Sequence, residues 1–350
     1  MEIELTESRE LIRIATELPA NQFNPLRQLF FPVEKDRPTY GHAVDIEVRT
    51  LSNTVATLQS RNQKANVVGK KDVKIISIIP PHIREKIEAS PKYLRSFSAS
   101  GVWNKTPEEL QKMRDESLFD IVRELKTRAE NRIAVMACQL IQTGAISYAE
   151  DALLDGTGGY SFSLDLAWPG NLLPVLAGGA LWSAGTAVIA DNLATWGDTM
   201  ASYTVNPNAV VMGASAFSAF ASNTKIQGDF DRQNWRVGTF NPVIGALFQG
   251  TYQGLEVYKA PAYQYKDETG ANQYLYDPKK VTLFNKEMVQ TYNEVAFALV
   301  EEVGADVIGE MYFSKQWETE DPSTIWTLLS CCPLPIIPIE GSVLTATVLT

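Results

Sequence analysis

Histidine and cysteine are scarce in this sequence of 350 residues. It contains two histidines, His42 and His82, and three cysteines, Cys138, Cys331 and Cys332. The histidine count argues against a Ser-His-Asp triad and against a multi-histidine metal site. Three cysteines, two of them adjacent, cannot form a disulfide framework, so all three are predicted to be reduced, small apolar residues.

Positively charged residues are fewer than negatively charged ones. Lysine and arginine number 31 against 41 aspartates and glutamates, which gives a net charge of −10. A surface this acidic disfavours general nucleic-acid binding, because phosphate contacts need clustered positive charge. Hydrophobic residues make up 45% of the chain, which is typical of a globular protein. The length indicates one large domain or two to three closely packed subdomains.

Long apolar runs are almost absent. The first ten residues, MEIELTESRE, lack a basic region followed by an apolar stretch, so no secretory signal is predicted. Residues 166–190 carry no formal charge and are long enough to span a bilayer. Because they contain Pro169, Pro174 and four glycines, we predict a buried or interface loop that leads into a helix, and no membrane span.

Catalytic motifs are incomplete. The run Gly156–Gly159 lacks the lysine of a phosphate-binding loop and is predicted to be a turn. The segment Gly213–Phe217 contains only the first half of a nucleophile elbow. One acidic run lacks the ordered spacing of a calcium loop and is predicted to be a solvated face; it comprises Glu301, Glu302, Asp306 and Glu310. The sequence therefore predicts no enzyme activity, no cofactor and no metal.

The N-terminal part indicates an arm. Residues 6–18 have the spacing of a short amphipathic helix that ends at Pro19. Residues 19–39 contain four prolines and the apolar cluster Leu29-Phe30-Phe31. This composition predicts an extended arm whose exposed apolar side chains contact a partner surface.

Residues 40–79 predict a two-stranded ribbon. The strands are residues 42–49 and 72–79, and the first alternates with period two from Val44 onward. Residues 60–74 have a net charge of +4, contributed by Arg61, Lys64, Lys70, Lys71 and Lys74 against one aspartate. This basic tip is either a solvated loop or a surface that docks on an acidic neighbour. A ribbon alone is marginally stable in water, so we expect it to lie on another surface.

A long helix follows. Thr106-Pro107-Glu108-Glu109 has the pattern of a capping box with proline at the first helical position. Apolar residues continue at helical spacing to about Gln142, and Gly144 is the expected stop. A helix over residues 106–142 is about 54 Å long. One apolar stripe on so long a rod suits it to be the spine for a sheet.

The remaining segments predict short strands and helices, which gives an α+β fold class. Residues 80–105 are expected to be irregular with short helical pieces, and several strands are expected from 287 to the end. The proline-rich stretch Pro333–Pro338 is expected at a sheet edge. The other predicted elements are a hairpin over 145–167, helices over 187–203 and 214–221, strands over 208–212 and 281–284, and a hairpin over 255–266 and 272–276.

Five stretches follow one another in a distinctive order along the chain. They are VKIISIIPPHIREKIEASP (Val73–Pro91), RAENRIAVMACQLIQTG (Arg128–Gly144), Val205–Gln227 with its Val211-Met212-Gly213, YLYDPKKVTLF (Tyr274–Phe284), and Trp317–Leu349 with Asp321-Pro322 and Pro333-Leu334-Pro335. These stretches resemble the major capsid protein E family of lambda-type tailed bacteriophages. Each stretch is short and degenerate, but together they run essentially end to end.

The resemblance implies the Hong Kong 97-type major capsid fold. Residues 1–35 would be the N-terminal arm and 36–79 the extended loop. Residues 80–170 and 286–350 would form the peripheral domain, with the spine helix over 106–142, and 171–285 the axial domain.

The resemblance also implies a function in the virion. Homo-hexamers and homo-pentamers would close into an icosahedral shell that encloses double-stranded DNA without sequence-specific binding, assembled in the host cytoplasm. Portal, scaffold and decoration proteins would be the other partners, with the scaffold a separate protein. The candidate inter-subunit contacts are Phe30, Phe31, Arg61, Lys64, Lys70, Lys71 and Trp182.

Three other classes stay open at this point. An encapsulin-like protein nanocompartment would share the fold but hold protein cargo. A tail or decoration protein would also self-assemble, and an enzyme with an unrecognised site would form small discrete oligomers.

Overall fold

The computed structural model describes residue 11 and residues 25–51, 74–89, 107–149, 161–232, 247–266, 270–302, 311–321 and 323–350. Within these ranges helices pack on several small sheets, as expected for the α+β class. The predicted turn at 156–159, most of the basic tip, and residues 6–18 apart from Leu11 lie outside the described residues.

The elements are numbered in chain order. The helices are α1 Pro25–Phe30, α2 Pro107–Thr143, α3 Ile189–Ser202, α4 Ala214–Ser222, α5 Thr224–Arg232 and α6 Lys286–Tyr292. The first strands are β1 Arg37–Pro38, β2 Val44–Val48, β3 Lys74–Ile78, β4 Ile83–Ala89, β5 Ala145–Ala149, β6 Ser161–Asp165, β7 Ala209–Met212, β8 Phe248–Tyr252 and β9 Leu255–Lys259. The others are β10 Gln264–Lys266, β11 Asn272–Tyr274, β12 Lys280–Phe284, β13 Glu294–Phe297, β14 Phe313–Glu320, β15 Ser323–Cys331, β16 Pro333–Ile336 and β17 Val343–Thr347.

Helix α2 is the predicted spine, and it ends where the sequence indicates. Gly144 has a φ of +68° and donates its backbone N–H to the Leu140 carbonyl at 2.8 Å, which is a left-handed helix cap. The C-terminal half differs from the predicted single apolar stripe, because every side chain from Ile133 to Ile141 except Gln139 is buried. Strands of several sheets surround this half, so the spine helix runs through the core rather than along its surface.

The buried residues form two clusters. The first surrounds the spine helix and includes α1 together with the inner faces of β2, β13 and β16. The second lies on the five-stranded sheet, which has the order β17-β12-β7-β9-β8, and packs against α3 and α4. Only the β7–β9 pair in this sheet is parallel.

Several predicted strands and helices between residues 145 and 284 are confirmed, with small shifts of their ends. Residues 208–212 and 281–284 correspond to β7 and β12, and 187–203 and 214–221 to α3 and α4. The predicted hairpin over 145–167 forms β5 and β6, with Ala145 opposite Asp165. Residues 166–190 form short 3-10 turns that lead into α3, as predicted. The loop is only partly buried in the subunit, because Leu172 and Trp182 are buried while Val175 and residues 177–180 are exposed.

Two regions near the sheets differ from the prediction. Residues 83–89 form β4, the outer strand of the sheet β14-β15-β4, where irregular structure was expected. Residues 286–292 form helix α6 instead of a strand, because the Asn285 side chain accepts the Met288 N–H and caps the helix. The edge prediction for Pro333–Pro338 is confirmed, since β16 lies at the end of the sheet β1-β13-β16.

The prediction of an extended arm with exposed Phe30 and Phe31 is wrong for the described part of the arm. Residues 25–30 form α1, and both phenylalanines are fully buried in the first cluster. Leu26, Leu29 and Phe30 recur at helical spacing and therefore share one face. The Phe30 ring lies 4.5 Å from the Phe284 ring, so this segment contacts its own subunit.

Candidate assembly surfaces

The ribbon of β2 and β3 has one face buried in the subunit and one in solvent. Val44 lies opposite Ile78 and Ile46 opposite Ile76, and these pairs face the first core cluster. On the other face, Ile75 is 63% exposed, and Ile79, just after β3, is 68% exposed. Contiguous apolar patches, rather than single apolar side chains, are typical of contact surfaces, and this face combines the two isoleucines with Ser77, Asp45 and Glu47.

The sequence contained a signal for this surface that the alternation argument missed. The segment Ile75-Ile76-Ser77-Ile78-Ile79 places isoleucine on both faces of a strand. A strand that buries only one face alternates between apolar and polar residues. An apolar second face therefore predicts a second covering surface.

The four basic residues proposed as contacts, Arg61, Lys64, Lys70 and Lys71, lie outside the described residues. At the described end of the ribbon, the Lys74 ammonium donates to the Leu166 carbonyl at 3.3 Å. This bond ties the ribbon, at the end that leads into the basic tip, to the end of the β5–β6 hairpin.

A buried ion pair lies next to Phe30 and Phe31. The Arg27 guanidinium donates to Asp36 at 2.5 Å, and both side chains are less than a tenth exposed. Burial raises the pKa of Asp36 to about 6, although the Arg27 charge and hydrogen bond act to lower it. The pair fastens the chain on either side of the 3-10 turn Val33–Lys35.

A second buried pair on the spine helix faces the first. Lys126 and Glu130 are 3.9 Å apart and also less than a tenth exposed. Burial lowers the pKa of Lys126, and its ammonium lies 5.2 Å from the centre of the Tyr312 ring. Two positive and two negative side chains thus hold the arm on the spine helix without a net charge.

Trp182 lies inside the second core cluster rather than at the surface. Its side chain is 3% exposed, and its ring is 6.2 Å from that of Trp196 and 6.4 Å from that of Phe220. Among the described residues its buried Nε1 has no hydrogen-bond partner. It therefore anchors a loop from within, whereas Val175 on the same loop is 73% exposed.

Chemically reactive groups are either buried or dispersed. Burial raises the pKa of the Cys331 thiol well above its usual value, and that of Cys332 to about 12, so both stay protonated at neutral pH. Burial lowers the pKa of His82. Within the described part of the chain, no three His, Cys, Asp or Glu side chains are grouped closely enough to hold a metal ion. No helix in that part is both long and apolar enough to cross a bilayer.

One comparison with a solved structure, the first of the three that follow, identifies the fold. A protein described as a prophage capsid protein, from Escherichia coli CFT073, superposes with a TM-score of 0.70 at 16% identity, covering 99% of this chain and 100% of that one. A phage-related protein from Bordetella bronchiseptica RB50 gives a TM-score of 0.49 at 11% identity, with 98% of each chain covered. The capsid structure of cyanophage P-SCSP1u gives 0.45 at 13% identity, covering 94% of this chain and 90% of that one.

Comparisons of sequence identify the family. No curated protein sequence matches this chain. The family model of phage major capsid protein E matches residues 7–348, which is nearly the whole length. The chain therefore belongs to the phage major capsid protein E family: it has the Hong Kong 97-type capsid fold, and it is a structural protein of an icosahedral shell rather than an enzyme.

Proposed function

We propose that this chain assembles as homo-hexamers and homo-pentamers, and that these close around double-stranded DNA. The observation that carries the proposal is the pair of exposed isoleucines on the outer face of the ribbon, Ile75 and Ile79, where they lie among the polar side chains of Ser77, Asp45 and Glu47. In an isolated subunit that face lies in water, so a neighbouring copy that covers it gains the free energy of burial.

We further propose a division of the chain. Residues 1–35 form the arm, 36–79 the extended loop, 80–170 and 286–350 the peripheral domain, and 171–285 the axial domain. The two core clusters support this division, because most of the second consists of residues from 172 to 283. Strand β17 joins the five-stranded sheet beside β12, so the peripheral segment contributes its last strand to the axial part.

The charge-free segment 166–190 suits a position near a rotation axis. Identical residues meet around such an axis, so a charged side chain there would face four or five other copies of its own charge. Val175 and the turn Gly178–Ala180 are exposed and uncharged, and Trp182 fixes the loop from inside. A surface of this kind can approach its own copies without repulsion.

The net charge of −10 supports the proposed contents of the shell. Packaged DNA is repelled by an acidic wall and can slide and repack against it without adhering. We propose assembly in the host cytoplasm, with portal, scaffold and decoration proteins as further partners.

The test is electron microscopy of the purified protein, alone and co-expressed with its genomic neighbours. We expect closed shells or free hexamers and pentamers, with nuclease-resistant DNA in shells isolated from infected cells. Protein cargo in place of DNA would favour a nanocompartment, and a monodisperse monomer under both conditions would remove the proposal.

A matched pair of variants tests the ribbon face. Ile75→Lys places a charge in the proposed contact and is expected to abolish shells. The melting temperature of the unassembled subunit should not fall, because the side chain is exposed and the lysine lies opposite Glu47 across the ribbon. Ile75→Val keeps the surface apolar and should still assemble. Normal shells from the lysine variant would show that the ribbon face is not an interface.

A further inference from the structure

Residues 173–181, within the charge-free segment, form a loop with little structure of its own. Its internal hydrogen bonds close single 3-10 turns, such as the bond from the Leu181 N–H to the Gly178 carbonyl at 3.3 Å. Gly178 has a φ of +58°, and a Cβ atom there would meet no heavy atom within 4 Å. Isolated turns and glycine do not fix a backbone, so the shape of loop 173–181 has to come from outside it.

Backbone hydrogen bonds fasten this loop to one place in the subunit. The Leu176 N–H donates to the Thr347 carbonyl, and the Thr347 N–H donates to the Pro174 carbonyl, each at 2.9 Å. Just after the loop, the Trp182 N–H donates to the Val348 carbonyl at 3.0 Å. Among the described residues, no other backbone hydrogen bond ties the loop to a distant part of the chain. The end of β17 is therefore its backbone anchor.

Strand β17 presents its outer edge to the loop. Thr347 lies opposite Lys280 of β12, but its N–H and its C=O both point to the loop, as in a non-hydrogen-bonded pair of an antiparallel ladder. The next N–H, that of Val348, points the other way and donates to the Lys279 carbonyl at 3.0 Å. Val175 is the parallel bridge partner of Thr347. The groups of Thr347 that hold the loop are thus those that β12 does not use.

Side chains hold the two ends of the loop and leave its middle in solvent. Leu172, before it, and Trp182, after it, are buried in the second core cluster, which also includes Val348. Between these ends, Val175 is 73% exposed and residues 177–180 are exposed. Because the exposed side chains bury little surface, the position of the middle depends on the backbone bonds to β17.

We propose that β17 is a strap that gives loop 173–181 the shape in which it contacts other copies. This inference rests on the proposed function and adds a condition to it: a subunit whose residues 347 and 348 are not in place does not present the loop. Residue 347 is synthesised long after residue 182, so an incomplete chain has the loop without its strap. Truncated subunits are thereby kept out of shells, where one faulty copy would interrupt a ring of contacts.

Hydrogen exchange of the full-length, unassembled subunit tests the strap itself. Thr347→Pro removes the N–H that bonds to Pro174 and no donor that β12 uses, and an edge strand tolerates proline where its N–H points outward. We expect the amides of residues 175–182 to exchange about tenfold faster than in the wild type, with those of β12 unchanged. Thr347→Val keeps the backbone donor and should exchange like the wild type. Equal exchange of the loop in all three proteins would overturn the proposal.

A change on the loop side covers the case in which proline at position 347 unfolds the subunit. Leu176→Pro removes the donor to the Thr347 carbonyl and leaves β17 itself intact. Its matched control is Leu176→Ala, which loses the same side chain but keeps the N–H. We expect the amides of residues 177–182 to exchange about tenfold faster in the proline variant than in this control. The same rate in both would show that the loop keeps its shape without the strap, and the proposal would be wrong.

Co-assembly tests what the strap does in the shell. A tagged variant is expressed together with the untagged wild type, and its fraction in purified shells is compared with its fraction in the unassembled pool. We expect each proline variant to be depleted about fivefold in the shells, and Thr347→Val to enter in proportion. Normal incorporation of a variant whose loop exchanges fast would reject this inference and leave the proposed function standing. A wild type that forms neither shells nor rings would remove the proposed function, and this inference with it.

Discussion

The structure explains why residue 213, between β7 and α4, is a glycine. A Cβ atom at this position would lie 2.4 Å from the Asp277 carbonyl oxygen and 2.6 Å from the carbonyl carbon of Pro278. Both contacts are to backbone, which cannot rotate away as a side chain can. The backbone φ of −61° is ordinary for any residue, so Gly213→Ala tests the close approach alone.

The expected loss of stability in Gly213→Ala follows from the backbone that must move to accommodate the new Cβ atom. Restoring normal contact distances requires residues 277–278 to shift by about 1 Å, which strains packing at a cost of about 1–3 kcal/mol. The shift also breaks the 2.9 Å hydrogen bond from the Ala216 N–H to the Pro278 carbonyl, at about 1 kcal/mol. We therefore expect Gly213→Ala to lower the free energy of unfolding by about 3 kcal/mol.

A matched substitution is available in helix α5. Gly228 has no heavy atom within 4 Å of its Cβ position, so Gly228→Ala gains helix propensity of about 0.5–1 kcal/mol. Urea titration of the unassembled subunit, followed by circular dichroism, should show shifts of opposite sign. A stability of Gly213→Ala equal to that of the wild type would refute the reasoning, because it would mean that the turn moves at no cost.

Three further predictions concern buried polar groups. Because burial raises the pKa of Asp36 from 3.8 to about 6, the folded state binds the carboxyl proton more tightly than the unfolded state. Relative to Asp36→Asn, the wild type should therefore lose stability as the pH rises from 4 to 7. Thermal melts of both proteins across that range measure this difference. Thr282→Val removes the hydroxyl that lies 2.7 Å from the buried Tyr276 hydroxyl, and chemical denaturation should show a loss of about 2 kcal/mol that adding Tyr276→Phe partly recovers. Cys331 and Cys332 should react with a thiol reagent only as fast as the subunit unfolds, and rapid labelling of the native protein would contradict their burial.

The sequence predicted correctly those helices and strands whose pattern of residue types lies within the element itself. The end of the spine helix at Gly144 is one, since a glycine after a helical apolar pattern has a specific conformational role. The alternation of β2 from Val44 to Val48 is another, because one buried face imposes period two. In both cases the pattern and the tertiary environment act in the same direction.

Elements whose environment comes from distant parts of the chain were harder to predict. Strand β4 is mostly exposed and gains its ladder from β15, more than 200 residues away. The aromatic pair Phe30 and Phe31 has the composition of an exposed anchor, but the cavity that buries it is built by Phe284 and the spine helix. Propensity and composition contain no information about such long-range partners.

The candidate surfaces also divide into those visible in one stretch of sequence and those built from distant segments. The uncharged loop around Trp182 was visible in the sequence because absence of charge over 25 residues is a local property. The exposed ribbon face could have been read from Ile75-Ile76-Ser77-Ile78-Ile79. The groove lined by Arg84, Arg128 and Lys266 could not, since these residues come from distant segments of the chain.

A buried hydrogen-bond chain joins the two core clusters. The Thr345 hydroxyl donates to the Ile141 carbonyl at 2.8 Å, near the end of the spine helix, and also lies 2.8 Å from the Thr282 hydroxyl in the five-stranded sheet. Because each of these groups is buried, tilting the helix against the sheet would leave polar atoms without partners. A change in the angle between the two clusters would therefore raise the free energy of the folded subunit.

This rigidity has a consequence for assembly. A closed shell requires many copies to present their contacts at nearly the same angles, and small errors accumulate around a ring. The described parts of the ribbon and the arm are held to the same body. Val44 and Ile46 of the ribbon are buried in the first cluster, and the Arg49 N–H donates to the Pro338 carbonyl at 2.7 Å. Phe30 and Phe31 of the arm are buried in the same cluster. We therefore expect these segments, the spine helix and the five-stranded sheet to move as a unit when hexamers and pentamers adjust to one another.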